Sequence, residues 1–263
     1  MRIDGARVLL TGASTGIGAA LAQELAGLGA RQVLVSRKTG LYTVPRASWC
    51  AADLTQSADR ERAVATAMRE MGGVDILVNN AGVGAYVPSA KISEADWHFM
   101  RELNLDAPVH LARLCLPAML EARRGLVVNV ASIAGHVPLP WFSLYSATKA
   151  ALLQWTHGLR MELDGTGVTT VAVSPGYVKT PFQSNVLAGR PPLMLQRTKK
   201  FGITPEQCAR AIRKGIERES RTVVTPPSGH FLNWAYHFAP RVIDKMFAKY
   251  NRELAQAEER IGD

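Results

Sequence analysis

"ARVLLTGASTGIG", residues 6 to 18, carries an apolar run into a turn with glycines at positions 12, 16 and 18, and the helical "GAALAQELAGLG" (18 to 29) follows at once. Glycines in a strand-to-helix turn let the backbone approach a ligand closely, and the N–H groups and positive dipole of the helix start can receive phosphate oxygens. The spacing is not the usual G-x-G-x-x-G of dinucleotide-binding turns. Taken alone, the turn reads equally as a tight connection, so the surrounding chain has to decide between the two.

Outward from that turn, β-like and helical runs alternate. "RQVLVS" (31 to 36) and "SWCA" (48 to 51) precede a charged helix from Ser57 to Met71, the strand "DILVNN" (75 to 80) and two helices within 93 to 122. "GLVVNVAS" (125 to 132), a long helix from near Ser143, "VTTVAVS" (168 to 174) and a last strand "RTVVT" (221 to 225) complete the pattern. The strands are near-continuous Val, Leu and Ala, so both sheet faces are expected to be covered. With helices between them this predicts an α/β fold, a doubly wound parallel sheet in a single domain. Ser93 with Asp96, and Thr204 with Pro205 and Gln207, mark helix starts as capping boxes. Only the eleven residues Arg37 to Ala47, Gly40 and Pro45 among them, join the second and third strands. A crossover with its helix needs about 10–12 residues or more, so that helix is expected to be a turn or absent.

The 263 residues, 47% of them hydrophobic, suffice for a sizeable core. No run of about 18 apolar residues appears, and the N-terminus lacks the features of a signal peptide. The expectation is a cytoplasmic protein without a spanning helix. Cys50, Cys115 and Cys208 are odd in number and far apart, which fits neither a disulfide framework nor a zinc site. The net charge of +9 is spread along the chain with no arginine-rich run, which argues against nucleic acid.

"SLYSATKAAL" (143 to 152) places Tyr145 and Lys149 four residues apart, on one face of a helix. Together with "TGASTGIG", "NNAG" (79 to 82), Asn104, Ser132, "YSATK" (145 to 149) and "PGYVKT" (175 to 180), in this order and spacing, the chain resembles the short-chain dehydrogenases/reductases over residues 5 to 182. That resemblance implies a seven-stranded Rossmann-like sheet, a nicotinamide cofactor, a small carbonyl or alcohol substrate and a homodimer or homotetramer. It implies a cofactor held by the glycine turn (Gly12, Ser14, Thr15, Gly16, Ile17, Gly18), with Asp53 and Leu54 beside the adenine. Asn79, Ala81 and Gly82 would line the cleft, Tyr145, Lys149, Pro175 and Gly176 would border the cofactor, and Val178 and Thr180 would approach the carboxamide. By the same resemblance Ser132 holds the substrate oxygen, Lys149 binds the nicotinamide ribose and Asn104 positions a water in a relay to Lys149. A phenol of pKa near 10 is a poor base; an adjacent ammonium and an oxidised nicotinamide favour its phenolate, making Tyr145 the acid/base.

The second strand ends "VLVSRKTG", with Ser36, Arg37 and Lys38 and no acidic residue to accept the ribose hydroxyls of NAD. Arg37 and Lys38 therefore point to NADP(H), the alternative being that Arg37 is a solvated loop residue. Substrate is expected between "IAGHVPLPWFSL" (133 to 144) and the segment 177 to 204, with Val137, Leu139, Trp141, Phe142, Val186, Leu193 and Met194 as a mainly apolar lining and His136 as a substrate contact or else a solvated loop residue. The aromatic and basic tail 227 to 263 follows the main unit 1 to 226. It reads as a helical extension packed on the same domain or at a subunit contact, or as an amphipathic segment on an anionic membrane. An NADP(H)-dependent oxidoreductase on a lipophilic ketone, aldehyde or alcohol leads; a non-catalytic NADP(H) sensor of the same fold is the alternative.

Overall fold

The computed structural model describes residues 1–190 and 202–259. Strands β1 (Arg7–Thr11), β2 (Arg31–Ser36), β3 (Ala47–Ala51), β4 (Ile76–Asn79), β5 (Gly125–Val130), β6 (Val168–Pro175) and β7 (Thr222–Thr225) form one sheet. Its order is β3-β2-β1-β4-β5-β6-β7, and every neighbouring pair is parallel. The helices are α1 (Gly16–Ala26), α2 (Ser57–Met71), α3 (Glu94–Arg101), α4 (Ala107–Glu121), α5 (Ser143–Glu162), α6 (Pro205–Arg218), α7 (Ser228–Phe238) and α8 (Pro240–Glu259).

Both faces of the sheet are covered, which is why its central strands need no polar alternation. On one face Leu21, Ala22 and Leu25 of α1 and Cys208, Ile212 and Ile216 of α6 pack on Val8, Leu10, Leu34 and Val171. On the other, Ala63 and Ala67 of α2, Leu111 and Cys115 of α4 and Leu159 of α5 pack on Leu9, Val33, Leu77 and Val127. The chain leaves β1 toward β2 and β3, then returns to β4 on β1's other side. The strand order thus reverses between β1 and β4, and in open parallel sheets ligands bind beyond the carboxyl ends of the strands at that reversal.

Local chemistry sets the elements that frame this crevice. The capping box on α6 is complete: Thr204 Oγ1 accepts from Gln207 N, and Gln207 Oε1 accepts from Thr204 N. At α3, Ser93 Oγ accepts from Asp96 N at 3.0 Å, but the Asp96 carboxylate takes the Ser93 hydroxyl rather than the backbone N–H. α3 and α4 are joined by a π-helical turn, Glu102–Asp106. No helix lies between β2 and β3. Instead Tyr42 stands edge-on to Trp49 and donates its hydroxyl to the Ala13 carbonyl at 2.5 Å, bracing the glycine turn from the short crossover.

At the opposite end of the sheet Asp75, just before β4, accepts from Arg7 N (2.9 Å), Nε (3.0 Å) and Nη2 (2.9 Å). Burial alone would raise the Asp75 carboxyl, but the Arg7 hydrogen bonds, with the charges of Arg7 and Arg124, hold it below the ordinary aspartate value. A depressed carboxylate adds stability that is present at neutral pH and lost as pH falls through its folded-state pKa. Asp75→Asn is expected to cost about 1–3 kcal/mol at neutral pH. It should also flatten the acid limb of the stability curve, read by denaturant melts across pH. An unchanged acid limb would show that the pair is not what the acid end senses.

Candidate active site

At the strand-order reversal a cavity of about 400 Å³ opens between the carboxyl ends of the strands. Gly12, Ser14, Thr15, Gly16, Ile17, Arg37, Asp53 and Leu54 line one part of it, and Ala81 and Gly82 its middle. Ser132, Tyr145, Lys149, Pro175, Gly176, Val178 and Thr180 line the remainder. Gly12 (φ 65°) and Gly16 (φ 59°) take left-handed conformations, which side chains disfavour, and these bend the chain from β1 into α1. Thr15 at the N-cap makes no side-chain capping bond, and no acidic residue sits in the first turn of α1. The leading N–H groups of α1 are thus left to an anion at the turn, the arrangement a dinucleotide pyrophosphate requires.

Where β5 ends, Ser132 takes an extended backbone and caps a short 3₁₀ turn (Ile133–Gly135), its Oγ accepting from Ala134 N at 3.1 Å. Tyr145 lies in the first turn of α5, stacked on Phe142 at 4.1 Å between ring centroids, with Phe182 at 5.8 Å. Burial pushes its phenol up to about 12, a rise that the Ser132 hydroxyl only partly offsets. The free phenol is therefore firmly protonated at neutral pH and poised as a donor; burial here outweighs the acidifying effect expected of Lys149. One helical turn on, the buried Lys149 places Nζ 5.7 Å from the Tyr145 ring centroid and donates to the Val130 carbonyl at 3.0 Å. Burial lowers this ammonium to about 8.

Asn104 sits in the π-helical turn. Its Nδ2 donates to Val83 O (2.8 Å) and Thr148 Oγ1 (3.1 Å), and its Oδ1 accepts from Val83 N (2.9 Å). A Cβ added at Gly82 would stand 3.1 Å from Asn104 Oδ1 and 3.2 Å from Lys149 Nζ, so Gly82 is where these two groups approach each other. Such one-turn widenings of a helix recur where a side chain must be re-aimed at a functional site. Of the four sequence-predicted residues, Ser132, Tyr145 and Lys149 line the cavity, whereas Asn104 lies behind Gly82 and does not, with Thr148 bonded to Asn104 and to the Tyr145 carbonyl.

Other expectations need correction. Asn79 is buried inside the sheet, donating to Asn129 Oδ1 at 2.8 Å and Pro108 O, and does not line the cavity. The lining residue is Asn80, whose Nδ2 ties Thr11 O and Gly12 O. Gly18 lies beneath the turn rather than on the cavity wall, because a Cβ there would stand 2.1 Å from Gly12 O. Lys38 does not line the cavity; its carbonyl accepts the Ser36 hydroxyl instead.

Among the described substrate candidates, only Leu139 and Phe142 reach the cavity. His136 Nε2 pairs with Ser174 Oγ at 2.9 Å, Val137 is buried, and Val186 packs in an aromatic cluster whose cavity-facing neighbour is Leu187. Trp141, at φ 62°, turns away and donates its indole N–H to Asn251 Oδ1 of α8 at 2.7 Å. Leu193 and Met194 lie outside the described residues. The lining that sequence reasoning missed is Tyr86, Phe99, Leu103, Tyr177, Phe182 and Leu187. Tyr177 lies within "PGYVKT" and Phe182 two residues beyond Thr180, so these two had a motif that could have pointed to them.

A family model described as short chain dehydrogenase matches residues 6–191. A ketoacyl reductase, HetN, of Nostoc sp. is 36% identical over 233 residues, which cover 84% of this chain and 79% of that protein. Two crystal structures of short-chain dehydrogenases superpose closely. One, from Burkholderia phymatum in complex with NAD, has a TM-score of 0.84 and 25% identity, covering 92% of this chain and 96% of that one. The other, from Burkholderia cenocepacia in complex with NADP, has a TM-score of 0.79 and 25% identity, covering 94% and 99%. With the Tyr145 and Lys149 pair, Ser132 and Asn104 gathered at the strand-order reversal of a seven-stranded parallel sheet, this chain belongs to the short-chain dehydrogenase/reductase family.

Proposed function

We propose that the protein is an NADP(H)-dependent oxidoreductase that interconverts a lipophilic ketone or aldehyde and its alcohol, with Tyr145 as acid/base, in a homodimer or homotetramer. The observation that carries this reading is the convergence of Ser132 and the buried Tyr145 and Lys149 on one cavity that also contains the glycine turn, with the buried Asn104 behind Gly82. A bound nicotinamide would supply or accept the hydride at the substrate carbon. Gly12 to Ile17, Asp53, Leu54, Ala81, Gly82 and Pro175 to Thr180 would hold the cofactor along the cavity. Ser132 would hold the substrate oxygen, and Tyr145 would deliver its proton in reduction or withdraw it in oxidation. Lys149 places its charge beside that proton, and Asn104, buried and fully bonded, keeps the π-helical turn shaped around it.

Phe142, Phe182, Tyr86, Leu139 and Leu187 make the substrate end aromatic and aliphatic, which favours an apolar carbonyl compound. That the Nostoc relative is named a ketoacyl reductase supports an acyl-chain ketone among the first substrates to try. The solved relatives carry NAD in one case and NADP in the other, so the choice of cofactor rests on Arg37. Arg37 lines the cavity, its guanidinium could bind a 2′-phosphate through two N–H groups, and "VSRKTG" offers no acidic residue to favour ribose hydroxyls.

The test is cofactor oxidation against a panel of ketones and aldehydes, with NADPH and NADH compared in the native protein and in Arg37→Asp. The native protein is expected to prefer NADPH. A lost charge-assisted contact and a new repulsion should weaken NADPH in the variant by about tenfold or more. A native preference for NADH would overturn the assignment of cofactor, and no oxidation of either with any carbonyl would overturn the reaction.

A further inference from the structure

Helices α7 and α8 leave outward a surface that the active site does not use. Phe231, Trp234 and Phe238 occur three and four residues apart, so they share one face of α7. Their rings follow one another at 6.3 and 5.1 Å between centroids, yet they are 72%, 59% and 67% exposed. A ridge of three large aromatics that meets solvent while pairing internally is a binding surface rather than scattered exposure. Val242 and Met246, also exposed and four apart, follow on α8.

The inward faces of the same helices are occupied. Phe247 is buried, a Cβ at Gly229 would strike Val224 and Ile133, and Asn251 takes the Trp141 indole. The outward ridge is therefore not the packing face of a misplaced extension.

Charge selects the occupant. Arg241, Lys245 and Arg252 lie four and seven residues apart, which sets them in one row along α8, and all three are exposed. α7 has no acid, and up to Arg252 the chain carries Arg241, Lys245, Lys249 and Arg252 against Asp244; the acids Glu253, Glu258 and Glu259 follow in the last turns of α8. His230 and His237 on α7 are also exposed, and Tyr236 is half-buried. An exposed aromatic ridge on α7, followed along the chain by an exposed cationic row on α8, suits a lipid surface with anionic headgroups, where rings enter the acyl boundary and cations meet phosphates. A second copy of the same face would instead bring the cationic rows together. Among the described residues no helix is long and apolar enough to cross a membrane, so the contact would be a surface one.

We infer that α7 and α8 form a docking platform for anionic membranes, resting through Phe231, Trp234, Phe238, Arg241 and Lys245. The Asn251 to Trp141 bond ties this platform to the loop that carries Leu139 and Phe142 into the cavity. The inference is independent of which carbonyl or cofactor the site takes.

The test is flotation of the full chain with phosphatidylcholine vesicles, with and without phosphatidylglycerol, and its size in gel filtration. Binding only to the phosphatidylglycerol vesicles, reversed by salt, is expected. Phe231→Ser with Trp234→Ser and Phe238→Ser should weaken it by about tenfold or more, and Arg241→Glu with Lys245→Glu should do so by a similar factor. Both variants change exposed positions, and unchanged thermal melts would show that the fold is intact. No binding to anionic vesicles, or equal binding to neutral ones, overturns the proposal. It is also overturned if the aromatic variant breaks a native oligomer, because the ridge would then be an interface between copies. Cofactor oxidation in the absence of vesicles is read in parallel and fails only if the catalytic reading fails.

Discussion

Tyr145→Phe is expected to lower turnover by about 10²–10⁴-fold, the range a positioned general acid contributes, while NADPH binding stays nearly unchanged. The variant removes one oxygen and keeps the ring that stacks on Phe142 and faces Phe182, so the packing of the cavity wall persists. What disappears is the proton donor. The buried phenol, up at about 12, holds its proton throughout the neutral range and is in the right form for reduction without any help from pH. Lys149, lowered to about 8, is the group nearby whose charge changes in reach. Reductive turnover of the native protein is thus expected to be level below about pH 8 and to fall above it as the ammonium loses its charge. Stopped-flow cofactor binding and steady-state rates of the native and variant proteins across pH check both points. Full turnover by Tyr145→Phe would sink the proposed mechanism.

Gly18→Ala is expected to damage the cofactor turn more than any other change of a single methyl. In a helix interior alanine is favoured over glycine by about 1 kcal/mol, so propensity alone would predict a stabler protein. The added Cβ, however, would stand 2.1 Å from the Gly12 carbonyl oxygen and 2.6 Å from Asn80 Nδ2. The nearer obstacle is backbone and cannot rotate away, and overpacking of this kind costs about 1–3 kcal/mol or more. The clash therefore outweighs the propensity. Relief requires Gly12 to move, and with it the turn that Asn80 ties to Thr11 and Gly12 and that Tyr42 braces through Ala13. The expected outcome is a lower Tm together with a loss of NADPH affinity of about tenfold or more, since the turn's geometry and its stability are one structure. Calorimetry with and without NADPH separates the two effects. A stabler variant with full affinity would show that the turn is more compliant than its contacts indicate.

Much of this molecule is legible along the chain because the relevant physics is local. Near-continuous apolar runs such as "RVLLT" and "ILVN" can be satisfied only by a sheet covered on both sides, and the sheet is so covered. Tyr145 and Lys149 share a helical face by spacing alone, and the short stretch after β2 left no room for a helix: Arg37 to Arg46 join β2 to β3 without one. Asn79 was misread because side chains alternate across a strand: β4 ends at Asn79, which sends that side chain into the sheet and leaves Asn80 to the crevice. A one-residue uncertainty in a strand end therefore exchanges an internal residue for a cavity residue.

The remaining features depend on contacts that spacing does not encode. Tyr86 and Phe182 meet Phe142 and Tyr145 only because loops after different strands converge. Trp141 is drawn from the cavity by Asn251, distant in sequence. The same aromatic pattern in α7 would describe a buried helix or an exposed ridge, and burial, which also sets the Tyr145 and Lys149 protonation equilibria, is a property of the assembled chain. The sequence by itself determined the sheet, the glycine turn and the shared helical face of Tyr145 and Lys149, since periodicity and short spacing are enough for these. Tertiary structure alone decided which asparagine faces the cavity, which aromatics line it, and which way the tail presents its rings, because each depends on what desolvates a side chain rather than on where it stands in the chain.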